Sequence, residues 1–412
     1  MSRIFIVIFL FLLFEFYAFL AIKRLFKSKR ILAVYISCTV LIILYFIYSF
    51  SSFNQAEGQT QNSLMMMAFL LLYSLTKITV MVVLFVEDIY RLFWFLRYKF
   101  FPTKKENVVF TQSRRKFISQ VALGIAAIPF FSILYGIFEG KYNFKVFKHG
   151  LYFEDLPENF DGFKVLQISD IHCGSFDNKS KIEYAVDLIN QQEFDVLVFT
   201  GDLVNNFASE MDNWISVFNR IRTPKYGKYS ILGNHDYGEY TIWESEEEKQ
   251  KNFKAIKGLH EKIGFRLLLN ENVIFQREDQ EIALVGVENW GDIARFQRRG
   301  DLDKASENLS SEDFKILLSH DPSHFEHKVK THLKNFQLTL SGHTHGFQFG
   351  VEIPNKFKWS PIQYVYKYWA GLYEENGRFI YVNRGFGFHA YSGRVGIFPE
   401  ITVLELKKAQ KN

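Results

Sequence analysis

Hydrophobic and polar positions divide this chain of 412 residues into two unlike parts. The first third holds four apolar runs, Ile4–Ile22, Ile31–Phe50, Leu64–Val86 and Phe117–Phe138, with almost no polar face. Each is about 20 residues, the length a helix needs to cross a hydrocarbon core of about 30 Å. A long core helix of a soluble protein would keep a polar stripe. The pattern therefore predicts four transmembrane helices within residues 1–138, a tether over 139–158, and a globular domain over 159–412.

In that domain the period changes. Phe163–Ile168, Asp195–Thr200, Lys228–Leu232, Ile282–Val287, Lys315–Leu318 and Gln337–Leu340 read as short buried strands. Lys179–Gln192 reads as a helix, because Ile182, Val186 and Ile189 fall on one face; Met211–Ile221 and Glu246–Ile263 are expected to be helices too. Strands alternating with amphipathic helices imply an α/β domain, its strands under helical layers.

Charge orients the membrane part. The first loop carries Lys23, Arg24, Lys27, Lys29 and Arg30, and the third carries Arg91, Arg97, Lys99, Lys104, Lys105, Arg114, Arg115 and Lys116. The second, Ser51–Ser63, has no Lys or Arg. Basic loops stay in the cytoplasm, so both termini and the C-terminal domain are expected outside it. Ser113-Arg114-Arg115-Lys116-Phe117-Ile118 resembles a twin-arginine export signal and serves equally as plain positive-inside anchoring; both give that topology. Glu15 and Lys77 sit near the middle of runs one and three, where an unpaired charge is costly, so they are expected to form an ion pair.

Composition adds exclusions. The formal net charge is +5, with no basic stretch in the C-terminal part that would mark a nucleic-acid partner. Two cysteines, Cys38 and Cys173, exclude a disulfide framework. Trp359, Tyr364, Tyr366, Tyr368 and Trp369 make an aromatic-rich stretch, read first as core packing and otherwise as a membrane-interface or apolar-tail contact.

Polar clusters follow directly on the predicted strands: Asp170-Ile171-His172, Gly201-Asp202, Gly233-Asn234-His235-Asp236, Ser319-His320 and Gly342-His343-Thr344-His345. Sites in open α/β sheets collect beyond the carboxyl ends of strands. Mixed carboxylate, amide and imidazole donors suit divalent Mn, Fe or Zn. The glycines let the chain turn sharply and bring backbone close to the metals.

These clusters, in this order, resemble the D-x-H, G-D, G-N-H-D/E, H and G-H-x-H blocks of the calcineurin-like metallophosphoesterases, over roughly Phe163 to Leu406. Gly371-Leu372-Tyr373, Tyr381-Val382-Asn383-Arg384-Gly385-Phe386-Gly387 and Pro399-Glu400-Ile401-Thr402 are similar to the C-terminal end of its bacterial membrane-associated branch. Phe347 departs from that branch, which usually has a glycine there. The resemblance implies a four-layer α/β/β/α sandwich behind the four-helix transmembrane region. It implies that Asp170, His172 and His345 bind one divalent metal, that Asn234, His320 and His343 bind the other, and that Asp202 bridges both. A water between the metals is the implied nucleophile. His235 is expected to act on the leaving oxygen as general acid or charge stabiliser, with Asp236 orienting it. Arg384 and Arg394 are candidate phosphate contacts, Glu288-Asn289-Trp290 is a candidate pocket border, and His324, His327 and His389 read as surface or outer residues.

The expected function is hydrolysis of a phosphodiester or phosphomonoester of a lipid or cell-envelope compound by a membrane-anchored enzyme. Its partners would be the bilayer and a phosphoester substrate, with no nucleic acid. Two alternatives stand beside this. One is a pyrophosphate hydrolase like those that cleave a UDP-linked diacylglucosamine in lipid A synthesis, whose substrate is cytoplasmic. The other is a non-catalytic metal-binding membrane scaffold.

Overall fold

The structure, a computed structural model, describes residues 2–101, 112–294, 296–353 and 356–409. It divides into two compact units, Met1–Phe53 with Met65–Tyr135, and Asn54–Leu64 with Gly136–Asn412.

Four helices, α1 Ser2–Leu25, α2 Lys29–Ser51, α3 Gln61–Phe100 and α4 Gln112–Phe138, account for the N-terminal third. Among the described residues Lys29–Ser51, Gln61–Phe100 and Ser113–Phe138 are long and apolar enough to cross a membrane. The remaining expected span, Ile4–Ile22, coincides with α1. Helix α3 has 40 residues, about 60 Å at the α-helical rise and so twice the hydrocarbon thickness. It runs on past Val86 through Arg91, Arg97 and Lys99, so these residues, expected in the third loop, are helical. Lys104 and Lys105 lie outside the described residues, and Arg114–Lys116 begin α4.

Tyr17 and Ala21 of α1, Val80 and Leu84 of α3, and Ala122 and Ala126 of α4 bury one another, the alanines allowing close backbone approach. The Glu15–Lys77 pair is formed, and two tyrosines complete it. Tyr35 Oη donates to Glu15 Oε2 at 3.1 Å, Tyr73 Oη donates to Glu15, and Lys77 Nζ lies 4.0 Å from the Tyr73 ring centroid.

Two six-stranded sheets form the second unit. The first has the order β1 (Lys145–Phe153), β14 (Glu400–Lys408), β2 (Lys164–Ile168), β3 (Val196–Phe199), β4 (Lys228–Ser230), β5 (Arg266–Leu267). The second has β12 (Gly371–Glu375), β13 (Arg378–Val382), β9 (Leu338–Ser341), β8 (Lys315–Leu318), β7 (Gln280–Gly286), β6 (Glu271–Arg277). A small hairpin, β10 (Val351–Ile353) and β11 (Phe357–Trp359), stands apart. Strands β2 to β5 run parallel, as do β7, β8, β9 and β13.

Alternation along the central strands builds three cores. Val165, Val196 and Val198 meet Leu284, Ile316 and Leu338 between the sheets. Leu166, Leu197 and Phe199 face outward onto α5 (Lys179–Asn190), α6 (Ile215–Phe218) and α7 (Glu246–Lys262). Val285, Leu317 and Val382 of the second sheet are covered by Leu302, Ala305 and Phe325. This is the four-layer α/β/β/α sandwich.

Two expectations change. Residues 145–153, read as part of a tether, form β1 in parallel register with β14 from Lys145↔Glu400 to Phe153↔Lys408. The pairing could not be foreseen because its partner lies some 250 residues away in sequence. The expected helix over Met211–Ile221 shortens to the single turn α6 after a 3-10 turn at Ala208–Met211. Glu210 accepts from the N–H groups of Asn205, Asn206 and Phe207, at 2.6, 3.0 and 3.0 Å, and holds that segment as a loop.

Candidate metal centre

The five clusters all begin within three residues of the carboxyl ends of β2, β3, β4, β8 and β9. Register within each sheet then brings them to one edge of the sandwich. Eleven non-glycine residues among those described have positive φ, and Asp170, His172, Asp202, His343 and His345 are five of them. Left-handed backbone at a side chain with a Cβ costs about 1–2 kcal/mol and concentrates at functional sites. The glycines act through contact distance: a Cβ on Gly233 would lie 2.2 Å from Asp202 Oδ1, and one on Gly342 2.2 Å from Asp170 Oδ2.

Asp202 Oδ2 lies between two groups, 3.5 Å from His172 Nε2 and 3.1 Å from His320 Nε2. On one side His172 Nε2 and His345 Nε2 are 3.1 Å apart, and His345 Nε2 is 3.2 Å from Asp170 Oδ1. On the other, Asn234 Oδ1 is 3.2 Å from His320 Nε2 and 2.7 Å from His343 Nδ1. Asp170, His172 and His345 form one group able to hold a cation, and Asp202, His320 and His343 another.

The outer partners fix which atoms point inward. His320 Nδ1 donates to the Thr200 carbonyl at 2.7 Å, so its Nε2 presents a lone pair. Asn205 Nδ2 donates to Ser175 Oγ at 3.0 Å, which leaves Asn205 Oδ1 to accept from His172 Nδ1 at 3.0 Å. Asn234 Nδ2 donates to Tyr240 Oη at 2.8 Å and turns Oδ1 inward. Acceptors therefore converge on acceptors, an arrangement satisfied by cations and poorly by water. The field of Asp202 favours positive charge at this point, whether carried by a proton on His320 or by a cation in its place. Burial opposes charge on His320, yet Asp202 overrides it and pushes the imidazole up to about 10. The residues present fit two divalent ions.

His235 is 8% exposed and outside these two groups, although with His172 and His389 it makes a third trio close enough to hold a cation. Its Nδ1 donates to the Asn205 carbonyl at 2.8 Å, its ring packs on Tyr240 at 4.3 Å, and burial lowers its pKa. Asp236 does not touch it. That carboxylate is fully buried and accepts from the N–H groups of Asp202, Leu203, Val204 and Gly233 at 3.0, 2.8, 3.3 and 2.9 Å. Asp236 thus braces the Asp202 loop, and the Asn205 carbonyl orients His235.

Both candidate phosphate-contact arginines are held by the protein itself. Arg384 is buried between Glu400 and Glu352, with Nη2 2.6 Å from Glu352 Oε1. Arg394 is fully enclosed and donates to the carbonyls of Gly387 (2.6 Å), Arg384 (2.8 Å) and Gly385 (3.2 Å), with His345 Nδ1 at 3.3 Å. Both are buried and engaged by protein acceptors, which argues for internal ties rather than phosphate contacts.

His389, read as peripheral, is in the site: it stacks on His172 at 4.8 Å and meets His235 edge-on at 4.3 Å. Tyr366 was also missed, its Oη lying 2.8 Å from His343 Nε2. Neither follows a strand directly, so only the fold brings them in. His324 is buried behind the site with Nδ1 2.8 Å from Ser319 Oγ, while His327 lies 3.5 Å from Asp292. Trp290 stacks on His324 at 4.9 Å, and Glu288 accepts from Tyr237 Oη at 3.2 Å, which puts that segment beside the outer ring. Phe347 has a left-handed backbone (φ 59°) and is 53% exposed, so the chain makes a glycine-like turn with a phenyl ring turned outward.

Comparison with known proteins agrees with this geometry. The family described as "Calcineurin-like phosphoesterase" matches residues 163–347, and "Probable Calcineurin-like phosphoesterase, transmembrane domain" matches residues 1–141. "Uncharacterized metallophosphoesterase YkuE" of Bacillus subtilis is 31% identical over 61% of this chain and 82% of its own. "Transmembrane protein with metallophosphoesterase domain" of Danio rerio is 29% identical over 67% of this chain and 60% of its own. "Phosphodiesterase YaeI" of Escherichia coli is 29% identical over 71% of this chain and 99% of its own. The chain belongs to the calcineurin-like metallophosphoesterases and is a membrane protein.

Proposed function

We propose that this protein is a membrane-anchored, two-metal phosphoesterase that hydrolyses a phosphodiester or phosphomonoester of a lipid or cell-envelope compound outside the cytoplasm. The observation that carries the reading is Asp202 Oδ2, held between the two ligand groups at 3.5 Å from His172 Nε2 and 3.1 Å from His320 Nε2. Two divalent ions bound there would neutralise phosphate oxygens and activate water at neutral pH. Asp170, His172 and His345 would hold one, Asn234, His320 and His343 the other, with Asp202 shared.

The chain's own groups supply the rest. His235, its Nδ1 engaged by the Asn205 carbonyl at 2.8 Å, has Nε2 as its remaining ring nitrogen. An arriving phosphate anion opposes the effect of burial and favours the imidazolium, which donates to the leaving oxygen. Tyr240, on the His235 ring, excludes water from that face.

The extracytoplasmic side is supported by the loop without Lys or Arg. Its residues 54–64 group with the phosphoesterase domain: Gln61 Nε2 donates to the carbonyls of Gly174 and Phe176 at 3.3 and 3.2 Å, and Ala390 N–H donates to Gln59 Oε1 at 3.3 Å. The domain therefore shares a side with the loop that the positive-inside rule places outside. This disfavours a cytoplasmic nucleotide-linked substrate. The test is hydrolysis of bis-(p-nitrophenyl) phosphate by the full chain with added Mn²⁺. His235→Ala should retain both metals and lose about 10²–10⁴-fold in turnover. A parent protein that binds metal and hydrolyses nothing would favour the scaffold reading.

A further inference from the structure

Hairpin β10–β11 is built inside out. Val351 pairs with Trp359, Glu352 with Lys358, and Ile353 with Phe357. Side chains alternate along a strand, so the charged pair lies on one face and the apolar residues share the other. The charged face is the one turned to the domain. Glu352 accepts from Arg384 Nε at 3.1 Å and Nη2 at 2.6 Å, while Lys358 Nζ donates to the Ala370 carbonyl at 2.5 Å and Tyr373 Oη at 3.0 Å. The apolar face is outward: Val351 and Ile353 are 50% exposed and Phe357 54%. A domain surrounded by water orients such a hairpin the other way.

The root of the hairpin bears on what could cover that face. Phe349 bridges in parallel to Val395, and Gly350 N–H donates to the Val395 carbonyl at 2.9 Å. The other side of the same segment receives the ends of two membrane helices. Arg394 N–H donates at 3.1 Å to the carbonyl of Gly136 in the last turn of α4, and Ser392 N–H donates at 3.1 Å to Leu64 in the first turn of α3. The approach is close: a Cβ on Gly136 or Gly140 would lie 2.7 or 2.4 Å from the Arg394 carbonyl oxygen. One short segment, residues 392–395, thus joins the hairpin to the first turn of α3 and the last turn of α4.

We propose that the β10–β11 hairpin lies in the membrane interface, with Val351, Ile353 and Phe357 among lipid carbons and the exposed Lys356 at the phosphates. The hairpin follows His345, a predicted metal ligand, by six residues. A hairpin seated there presents the metal centre to lipid headgroups, which narrows the substrate class to a phosphoester carried by a membrane lipid. That narrowing rests on the phosphoesterase reading; the placement of the hairpin does not.

The test uses the full chain in vesicles of phosphatidylcholine and phosphatidylglycerol. Val351→Cys or Phe357→Cys, in a Cys38→Ser background with Cys173 buried, is labelled with an environment-sensitive nitrobenzoxadiazole dye. At both sites the dye should emit blue-shifted and be quenched about twofold or more by doxyl-labelled lipid, as for a group at the acyl boundary. The same dye at Leu333→Cys, 94% exposed and before the amino end of β9, should stay unquenched. Water-like emission without lipid quenching at Val351 and Phe357 overturns the proposal. So does a shielded dye that lipid does not quench, the outcome expected if a second copy of the chain covers the face. Turnover of bis-(p-nitrophenyl) phosphate is read separately: its absence would sink the phosphoesterase reading and leave the dye result standing.

Discussion

Asp202 and Asp236 are both enclosed carboxylates, and their neighbours set them opposite tasks. Burial alone would raise the Asp202 pKa, but His320 and His235 override it and hold the group ionised, as the proposed bridging role requires. Asp236 has only backbone donors, so burial and the Asp202 charge push it up to about 7. Asp202→Asn should abolish activity and lower metal content from two ions per chain to one or none, measured by elemental analysis. Asp236→Ala leaves four N–H groups without their acceptor. Each orphaned buried donor costs about 1–3 kcal/mol, so a loss of at least about 3 kcal/mol is expected in thermal or denaturant melts. A change under about 1 kcal/mol would mean that the Asp202 loop holds itself.

At the scale of elements, the intramembrane pair ties three helices together. Lys77 of α3, Glu15 of α1 and Tyr35 of α2 meet in one network, with Tyr73 of α3 as a fourth member. Removing one charge strands the other in a low dielectric, whereas removing both strands neither. Glu15→Gln and Lys77→Met should each lower the melting temperature in detergent or nanodiscs. The double variant should recover part of the loss, giving a non-additive thermodynamic cycle. Equal stability of all four proteins would mean that the network holds nothing.

Across the whole molecule, stability is expected to depend on metal and on pH. The proposed ligands come from loops of both sheets, and five of the seven sit on left-handed backbone, so bound ions would offset that strain and join the sheets. Chelation should lower the melting temperature as well as stop turnover, and Mn²⁺ should restore both. Two buried histidines far from the ligand loops in sequence or behind them, His260 and His324, are pushed down to about 3 by burial. Unfolded, each takes up a proton near its ordinary 6.5. The unfolded state therefore binds more protons below that pH, and stability present above it is lost as pH falls toward 3. The slope is up to about 1.4 kcal/mol per pH unit for each histidine. His260→Gln should flatten the acid limb of a melting-temperature profile between pH 6.5 and 4; an unchanged limb would remove His260 as its cause.

What the sequence determined by itself was whatever local pattern encodes. Apolar runs long enough to cross a bilayer, strands buried on both faces, and polar clusters one to three residues beyond those strands are all local features. They located the four helices, the alternation of strands and helices, and the clusters whose seven polar residues converge on one centre, while the four-layer sandwich was what the family resemblance implied. Tertiary structure decided what depends on partners distant in the chain. Strand β1 exists because β14 supplies its hydrogen bonds. Arg384 and Arg394 became internal ties because Glu400, Glu352 and backbone carbonyls reach them before any substrate can. His389 and Tyr366 entered the site because the loops bearing them fold back over His172 and His343. The outward apolar face of the β10–β11 hairpin is legible only once Glu352 and Lys358 are seen to point inward. A strand's alternation says which side chains share a face, and only packing says which face meets the protein.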